Sequence, residues 1–157
     1  MFKNKSLLLF ITAFFILQNC GYKKLNQIQG QSFHIQKLEI KGDNRISHYL
    51  KNTITINSNE TSKNKISLKL KINKKKDKKE KNISKKITKY VIILTVDLKL
   101  EEANNVKIVN KSFTRAIDLN VKSNHSDTIT EEIKNVDNIS EKISEDIVRF
   151  LKMYYRE

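Results

Sequence analysis

The sequence predicts an α+β fold, a two-layer sandwich in which two helices cover one face of a four-stranded mixed sheet. Apolar and polar residues alternate over 66–72 and again over 90–100, which is the period of a half-buried strand. Apolar residues with helical spacing follow from Ile129 to Tyr154. Together with three weaker segments these patterns predict the order β-α-β-β-β-α. A sheet with one apolar face needs a second layer to bury it, and the two helices supply that layer.

The first strand and first helix are predicted from the residues after a polar stretch. Residues 20–32 are polar and are expected to form a tether, which leaves 33–157 as the folded domain. Residues 33–41 predict a strand with a bulge, because the apolar phase slips between Ile35 and Leu38. Asp43 or Asn44 can then cap a helix over 44–56.

The middle of the chain predicts three more strands. A polar loop over 57–64 leads into the alternation at 66–72, and the longest alternation, 90–100, is typical of a central strand. Residues 101–105 are expected to turn the chain. The fourth strand is predicted over 106–121, with Lys111 and Arg115 interrupting its apolar face.

The C-terminal segment predicts a long amphipathic helix. Thr128-Ile129-Thr130-Glu131 matches a capping box, so the helix is expected to begin there. Ile129 and Ile133 open the apolar stripe that should pack on the sheet. Acidic residues precede basic ones along the helix, which is the order that the helix dipole favours.

Length and composition are those of a single domain. The chain has 157 residues, 31 Lys and Arg against 17 Asp and Glu, and a formal net charge of +14. Three Gly and no Pro exclude collagen-like and Pro/Gly-rich disordered classes. One Cys excludes an internal disulfide framework and a multi-Cys zinc site. The charge indicates an anionic partner, although Lys, Ile and Asn all have AT-rich codons and part of the basicity is expected from composition.

The N-terminus predicts export. Lys3 and Lys5 precede an apolar run over 7–17, which is too short to span a bilayer and suits a secretory signal. Leu17-Gln18-Asn19-Cys20 follows and resembles a bacterial lipobox, in which the Cys becomes the acylated first residue of the mature chain. Asn19 departs from that pattern, which usually has Gly, Ala or Ser there. We expect a signal peptide over 1–19 and lipid on Cys20.

Lipidation would determine in which membrane the protein is anchored and which anionic molecules it can meet. Gly21 is not the Asp that commonly retains lipoproteins in the inner membrane, so the outer membrane is the expected location. A protein anchored there does not meet chromosomal DNA, and anionic lipids are the expected partners instead of nucleic acid. An ordinary signal peptide with an incidental Cys, or an uncleaved anchor, stays open as an alternative.

Four segments in this order resemble the LptE family of lipopolysaccharide-assembly lipoproteins. Cys20-Gly21-Tyr22-Lys23-Lys24-Leu25 is similar to the family's mature N-terminus, although the family often has Pro in place of Lys24. Lys89-Tyr90-Val91-Ile92-Ile93-Leu94 is similar to its third strand, and Ser112-Phe113-Thr114-Arg115 to its fourth. The last segment, Ile139 to Tyr155, is similar to its final helix.

The resemblance implies a non-enzymatic function without a cofactor. Proteins of this family occupy and plug the lumen of an LptD-like outer-membrane β-barrel, assist its assembly and contact lipopolysaccharide on its way to the outer leaflet. The family's basic lipid contacts imply Lys76 or Lys78, and Lys134, as the nearest counterparts in this chain.

The densest charge in the chain lies between the second and third predicted strands. It is expected to project as a long hairpin tip, where clustered ammonium groups could contact lipid phosphates. A solvated loop in a Lys-rich chain is the alternative interpretation. The candidate lipopolysaccharide-binding residues are Lys74, Lys75, Lys76, Lys78, Lys79 and Lys134.

Two other functions stay open. An unrelated periplasmic lipoprotein could act as an adaptor that binds anionic lipid or a cell-wall polymer. An enzyme is disfavoured because the sequence has no catalytic constellation, and His34, His48 and His125 lack the spacing of metal ligands. His125-Ser126-Asp127 is expected to be a polar loop.

Overall fold

The computed structural model describes residues 32–102 and 107–155, and it has the predicted α+β architecture and element order. The predicted signal peptide, Cys20 and the predicted tether up to residue 31 lie outside the described residues. The elements are β1 (His34–Lys41), α1 (Asn44–Ile56), β2 (Lys65–Lys81), β3 (Ile87–Glu102), β4 (Ile108–Asn120) and α2 (His125–Tyr154).

The four strands form one mixed sheet in the order β1-β2-β3-β4. β1 and β2 are parallel because α1 carries the chain back across the sheet between them, whereas the other two pairs are antiparallel. The predicted bulge in β1 is confirmed by a register shift between Ile35 and Lys37. β3 pairs with a neighbour on both sides, as expected for its long apolar alternation.

The helix layer and one face of the sheet enclose the core. The even-numbered apolar residues of β2 and β3 are buried against α1 and α2, with Leu68, Leu94 and Leu100 fully shielded from solvent. Odd-numbered residues of the same strands, such as Lys69 and Asp97, lie on the opposite face of the sheet. The period-2 pattern therefore predicted correctly which side chains face the helices.

The turn between β1 and α1 depends on a glycine and an acidic cap. Gly42 has a φ of +133°, and a Cβ added to it would lie 2.7 Å from the Cβ of Ile72 and 2.8 Å from the Ile72 carbonyl oxygen. Asp43 then caps α1, because its Oδ1 accepts hydrogen bonds from the backbone N–H groups of Arg45 (3.0 Å) and Ile46 (3.2 Å). The cap predicted at Asp43 or Asn44 is thus confirmed at Asp43.

The predicted hairpin tip is wrong for most of its length. β2 does not end near Ile72 but continues to Lys81, and Lys74 to Lys78 pair with Leu94 to Tyr90 of β3. Only residues 82–86 form the turn, in which the Asn82 N–H donates to the Lys86 carbonyl at 2.9 Å. Backbone hydrogen bonding to the long β3 outweighs the low strand propensity of lysine.

The start of the last helix was also mispredicted. Asn124 is the N-cap, with its side chain accepting from the Ser126 N–H, so α2 begins at His125 rather than at the Thr128 capping box. His125-Ser126-Asp127 is consequently the first turn of the helix and not a loop.

Two residues assigned to the buried stripe are instead largely exposed. Ile129 retains 45% and Ile133 40% of its surface. The reason lies in the unequal lengths of the two parallel helices. α1 has 13 residues and α2 has 30, and α1 accompanies α2 only from about Asp137 onward. The first turns of α2 therefore extend beyond α1 and have no helical neighbour in the described part of the chain.

Candidate functional site

At one end of the molecule, β2 and α2 extend past the ends of their shorter neighbours, β1 and α1. β1 pairs with β2 only as far as Lys71, and α1 begins beside the middle of α2. The second half of β2, carrying most of the predicted basic residues, therefore lies at an open edge of the sheet beside the first turns of α2. Tertiary structure brings these two segments together, and we call the depression between them the basic groove.

The basic groove combines an apolar floor with charged walls. It has a volume of about 230 Å³. Ile129, Ile133 and Val136 of α2 supply its apolar surface, and Lys74 and Arg45 supply cations. Asp43 and Glu132 complete the lining. A cavity of this composition can accept an amphiphile whose apolar part lies on α2 and whose anionic part reaches the cations.

Lys74 is held at the groove by the helix cap. Its Nζ lies 3.2 Å from the Oδ2 of Asp43, whose other carboxylate oxygen caps α1. Desolvation raises the pKa of the Asp43 carboxyl, but the hydrogen bonds from the Ile46 N–H and from Lys74 outweigh it and lower the pKa below the ordinary value. Asp43 thus remains a carboxylate and positions Lys74.

Lys76 occupies a second charged position on the same side of β2. Its Nζ lies 2.5 Å from the Oε2 of Glu132 and 4.5 Å from the centre of the Tyr90 ring. The contact with the ring is a cation–π interaction. A matching bridge joins the two helices, where Arg45 donates from Nε (2.8 Å) and Nη2 (2.6 Å) to the two oxygens of Asp137.

Two of the other candidate lysines lie on the opposite face of the sheet. Lys75 pairs with Asp77 at 2.7 Å, and Lys79 reaches Asp118 of β4 at 2.6 Å. Strand geometry places Lys75 there because successive side chains point to opposite faces. The six candidates therefore do not form one cluster, since Lys74, Lys76 and Lys78 share the helix-facing side.

Lys78 and Lys134 differ from the other candidates in having no acidic partner among residues 32–102 and 107–155. Lys78 pairs in register with Tyr90, and Lys134 is exposed on α2 next to Ile133. Both ammonium groups are consequently available to an external anion. A direct role in lipid binding stays a prediction for all six lysines.

Sequence reasoning missed the counter-charges and the exposed isoleucines. Only Asp77 and Glu80 are acidic within the basic segment, but folding brings Asp43, Glu132 and Asp118 to it from distant positions. No local pattern signals such pairs. The exposure of Ile129 and Ile133 could have been inferred only from the predicted lengths of the two helices, which implied that the longer one extends past the shorter.

The described ranges, 32–102 and 107–155, contain no group of three or more His, Cys, Asp or Glu side chains that could hold a metal ion. Neither helix in these ranges is both long enough and apolar enough to cross a membrane.

The fold is that of several bacterial lipoproteins of known structure. A rare lipoprotein B from Shewanella oneidensis superposes with a TM-score of 0.58 at 9% identity, covering 77% of this chain and 95% of that one. A minor lipoprotein from Acinetobacter baumannii gives 0.57 at 15% identity over 78% and 94%. An uncharacterized lipoprotein B from Nitrosomonas europaea gives 0.57 at 13% identity over 82% and 89%.

These likenesses establish the architecture of the chain. Neither a family model nor a curated protein matches the sequence. Identities of 9 to 15% are too low to carry individual site residues across, so the basic groove is argued from its own geometry.

Proposed function

We propose that the chain is a lipid-anchored outer-membrane protein of the LptE type, which binds lipopolysaccharide and partners an LptD-like β-barrel without catalysing a reaction. The observation that carries the proposal is the agreement of two independent features. The fold matches lipoproteins over 77 to 82% of the chain, and the sequence places its only Cys directly after a short apolar signal.

The basic groove suits the chemistry of a lipid with an anionic head. Lipid A of lipopolysaccharide carries phosphates next to acyl chains, and the groove places cations next to isoleucine side chains. Lys74 and Lys76 are already paired with carboxylates, but exposed pairs of this kind contribute only about 0–1 kcal/mol each. A phosphate of higher charge can therefore displace Asp43 or Glu132 from an ammonium group at little cost.

The free lysines supply the first electrostatic contact in this mechanism. Lys78 and Lys134 have no carboxylate partner in the described part of the chain, so they attract an incoming phosphate without losing an existing bond. Lys74 and Lys76 then exchange partners as the acyl part settles on Ile129 and Ile133. Because exposed charges act over about 8 Å at physiological salt, binding should weaken as salt is added.

Two triple variants with equal loss of charge test the groove. Lys74→Gln, Lys76→Gln and Lys78→Gln remove three cations from the helix-facing side of β2. Lys71→Gln, Lys75→Gln and Lys79→Gln remove three from the opposite side of the same strand. Binding of purified lipopolysaccharide is measured over a salt series by displacement of a fluorescent lipopolysaccharide.

We expect the first variant to bind more weakly and with a shallower salt dependence, while the second resembles the unmodified chain. Equal losses in both variants would mean that net charge alone attracts the lipid. Undiminished binding in the first variant would remove the groove from the proposal and make Lys134, Lys111 and Arg115 the next residues to test.

The barrel partnership is tested separately from lipid binding. Copurification of the tagged chain with an integral β-barrel from solubilised outer membranes supports the proposed partner, and both triple variants should retain it. Recovery of the chain without any barrel would favour the adaptor function instead.

The anchor is tested at Cys20. Intact-mass measurement of membrane-extracted protein should show removal of residues 1–19 and acyl chains on Cys20, and Cys20→Ser should release the chain from the membrane. Several acyl chains anchor stably, whereas one alone binds marginally. An unmodified thiol on the full-length chain would contradict this part of the proposal, with Asn19 as the residue to replace first.

One observation supports the adaptor as a second candidate. The face of the sheet without helices carries a cavity of about 430 Å³, whose lining includes Lys41, Lys71, Lys99 and Asp97. Such an open, cationic surface could bind a cell-wall polymer. Retention of the chain on purified peptidoglycan, lost in the Lys71, Lys75 and Lys79 variant but not in the groove variant, would favour this function.

A further inference from the structure

β4 is an edge strand whose outer backbone groups can be identified from its register. It lies at one end of the sheet, and among the described strands it pairs only with β3. The Val121 N–H donates to the Thr88 carbonyl at 2.9 Å, and the pairing then proceeds without a register shift. Hydrogen-bonded pairs alternate in an antiparallel ladder, so odd-numbered residues of β4 bond to β3 and even-numbered ones direct N–H and C=O outward.

One contact agrees with this assignment. The outward carbonyl of Asp118 accepts a hydrogen bond from the side-chain amide of Asn135, 3.2 Å away on α2. Farther along the edge, no protein group within 32–102 and 107–155 bonds to the outward amides of Ser112 and Thr114. A stretch of β4 is therefore open to pairing with another strand.

An aromatic groove runs alongside this open edge. Its volume is about 470 Å³, and it lies between β4 and the last turns of α2. Phe113 and Phe150 meet edge to face with their ring centres 5.9 Å apart, and Met153 is 62% exposed. Tyr154 closes the groove near the end of α2. A free sheet edge beside a helix-lined groove is the arrangement that binds peptides by strand addition.

The charges around the aromatic groove are mainly positive. Arg115 donates from Nε (2.9 Å) and Nη2 (2.5 Å) to Asp146, the one acidic residue among the described residues that line the groove. Arg149 lies 4.0 Å from the same carboxylate and is highly exposed, and Lys107 lies 5.1 Å from the centre of the Tyr154 ring. Two arginines thus flank the carboxylate of Asp146, and the excess of arginine over carboxylate at this point favours an acidic occupant.

We propose that β4 and the aromatic groove bind an extended acidic segment of a partner protein, which adds to the sheet as a fifth strand. Lys111, Phe113 and Arg115 share the helix-facing side of β4. The segment that fits them carries an apolar residue opposite Phe113 and carboxylates two positions away on each side. Its alternate side chains, next to Ser112 and Thr114, are small and polar. This surface is distinct from the basic groove.

Two other occupants of the edge are disfavoured by charge and position. A second copy of this chain, pairing antiparallel about Phe113, would place its Lys111 opposite Arg115, and like charges directly opposite each other destabilise a sheet. The segment 20–31 contains Lys23 and Lys24 and no acidic residue, and it precedes β1 at the other edge of the sheet. A separate acidic protein is the occupant that remains.

The test uses the full chain in lipid nanodiscs and three synthetic peptides. The first peptide is Thr-Glu-Thr-Leu-Thr-Glu-Thr, the second has Lys in place of both Glu, and the third has Pro in place of the two Thr next to Leu. Amide exchange with deuterium is followed residue by residue by NMR. The first peptide should slow exchange at Ser112 and Thr114 by about tenfold or more, because open amides become hydrogen-bonded.

A matched pair of variants isolates the backbone contact. The hydroxyl of Thr114 lies 3.0 Å from that of Thr95, and both Thr114→Ala and Thr114→Pro lose this contact. Thr114→Pro also removes the outward backbone N–H, which Thr114→Ala keeps. An edge strand tolerates proline at a position whose N–H would otherwise face solvent. Thr114→Ala should bind the first peptide normally, whereas Thr114→Pro should bind it at least about tenfold more weakly, as loss of central pairing predicts.

Specific outcomes would overturn the proposal. Equal protection by the Glu and Lys peptides would exclude charge recognition, and protection by the Pro peptide would exclude strand pairing. Nanodisc lipid could instead shift the NMR signals of Phe150 and Met153 while no peptide slows amide exchange in β4. That result would identify the aromatic groove as a site for lipid acyl chains. Should Thr114→Pro not fold, the peptide comparison on the unmodified chain decides the question alone.

Discussion

Replacing Leu94 by alanine should cost more stability than any similar truncation on the other face of the same strand. Leu94 is fully buried at the middle of β3, the strand with a neighbour on each side. It belongs to the buried core between the sheet and the helix layer, so the surroundings can collapse only in part into the space that its side chain leaves. The size of the loss therefore reports directly on which face of the sheet is the core.

The magnitude follows from the burial. The change removes three carbon atoms, and transfer to water costs about 0.8 kcal/mol for each, or about 2.4 kcal/mol. The residual cavity adds to this, and buried Leu→Ala changes cost about 2–5 kcal/mol in total. We expect about 3–4 kcal/mol for Leu94→Ala, a large part of the 5–15 kcal/mol that holds a small domain together.

Ile93→Ala is the matched control because it truncates the preceding residue of the same strand. Ile93 lies on the face without helices and is only partly buried, opposite Lys75 and Ala116 of the neighbouring strands. Its loss should cost about 1 kcal/mol, from partial burial and strand propensity. Urea unfolding followed by circular dichroism should show a midpoint about 2 M lower for Leu94→Ala than for the unmodified chain, given the usual slope of the unfolding free energy with urea concentration.

Equal midpoints for the two variants, or a lower one for Ile93→Ala, would refute the reasoning. Such a result would mean that the odd-numbered side of β3 is the covered one. It would also place Lys69 and Asp97 in the interior, which the solvent access that both keep in the structure contradicts.

Three further predictions concern the turn and the groove. Gly42→Ala should destabilise the fold by about 1–3 kcal/mol, because the new Cβ meets Ile72 and φ is +133°; an unchanged melting temperature would contradict this. Asp43→Ala should cost about 1 kcal/mol through loss of the cap, whereas Asp43→Asn should cost less, as the amide still caps. Folding lowers the pKa of Asp43, so the stability that its charge contributes is present above about pH 4 and is lost as the pH falls through the folded-state pKa. In thermal melts, the difference in melting temperature between the unmodified chain and Asp43→Ala should therefore shrink below about pH 4. A difference that does not change with pH would mean that the charge of Asp43 contributes nothing to stability. A double-mutant cycle for Lys76 and Glu132 should give a coupling of about 0–1 kcal/mol that falls with salt, and a larger, salt-independent coupling would rule out easy displacement by a phosphate.

The sequence alone was enough for the architecture. The alternation at Leu68 and Leu94 and the helical spacing from Val136 onward identified the core faces, because burial of apolar area depends on the period of the local structure. The bulge in β1 and the cap at Asp43 were also accessible, since both arise from neighbours in sequence. The predicted export signal and the resemblance to the LptE family likewise rest on local motifs, and the signal stays a prediction.

The candidate site was accessible only in part. The sequence showed where lysines are dense, but their interpretation as a long hairpin tip was wrong for most of its length, because the partner strand decides whether a polar segment becomes a strand. It also could not separate Lys74 and Lys76 from Lys75 and Lys79, whose opposite sides follow from that pairing.

Tertiary structure decided which charges meet and which surfaces stay open. Asp43, Glu132 and Asp118 reach the basic segment from positions 31 to 56 residues away, and no local pattern specifies contacts over such separations. The exposure of Ile129 follows from α2 being longer than α1, and the open edge of β4 follows from strand order. Periodicity fixes the face that a side chain takes within its own element, whereas its neighbours across elements depend on how the whole chain packs.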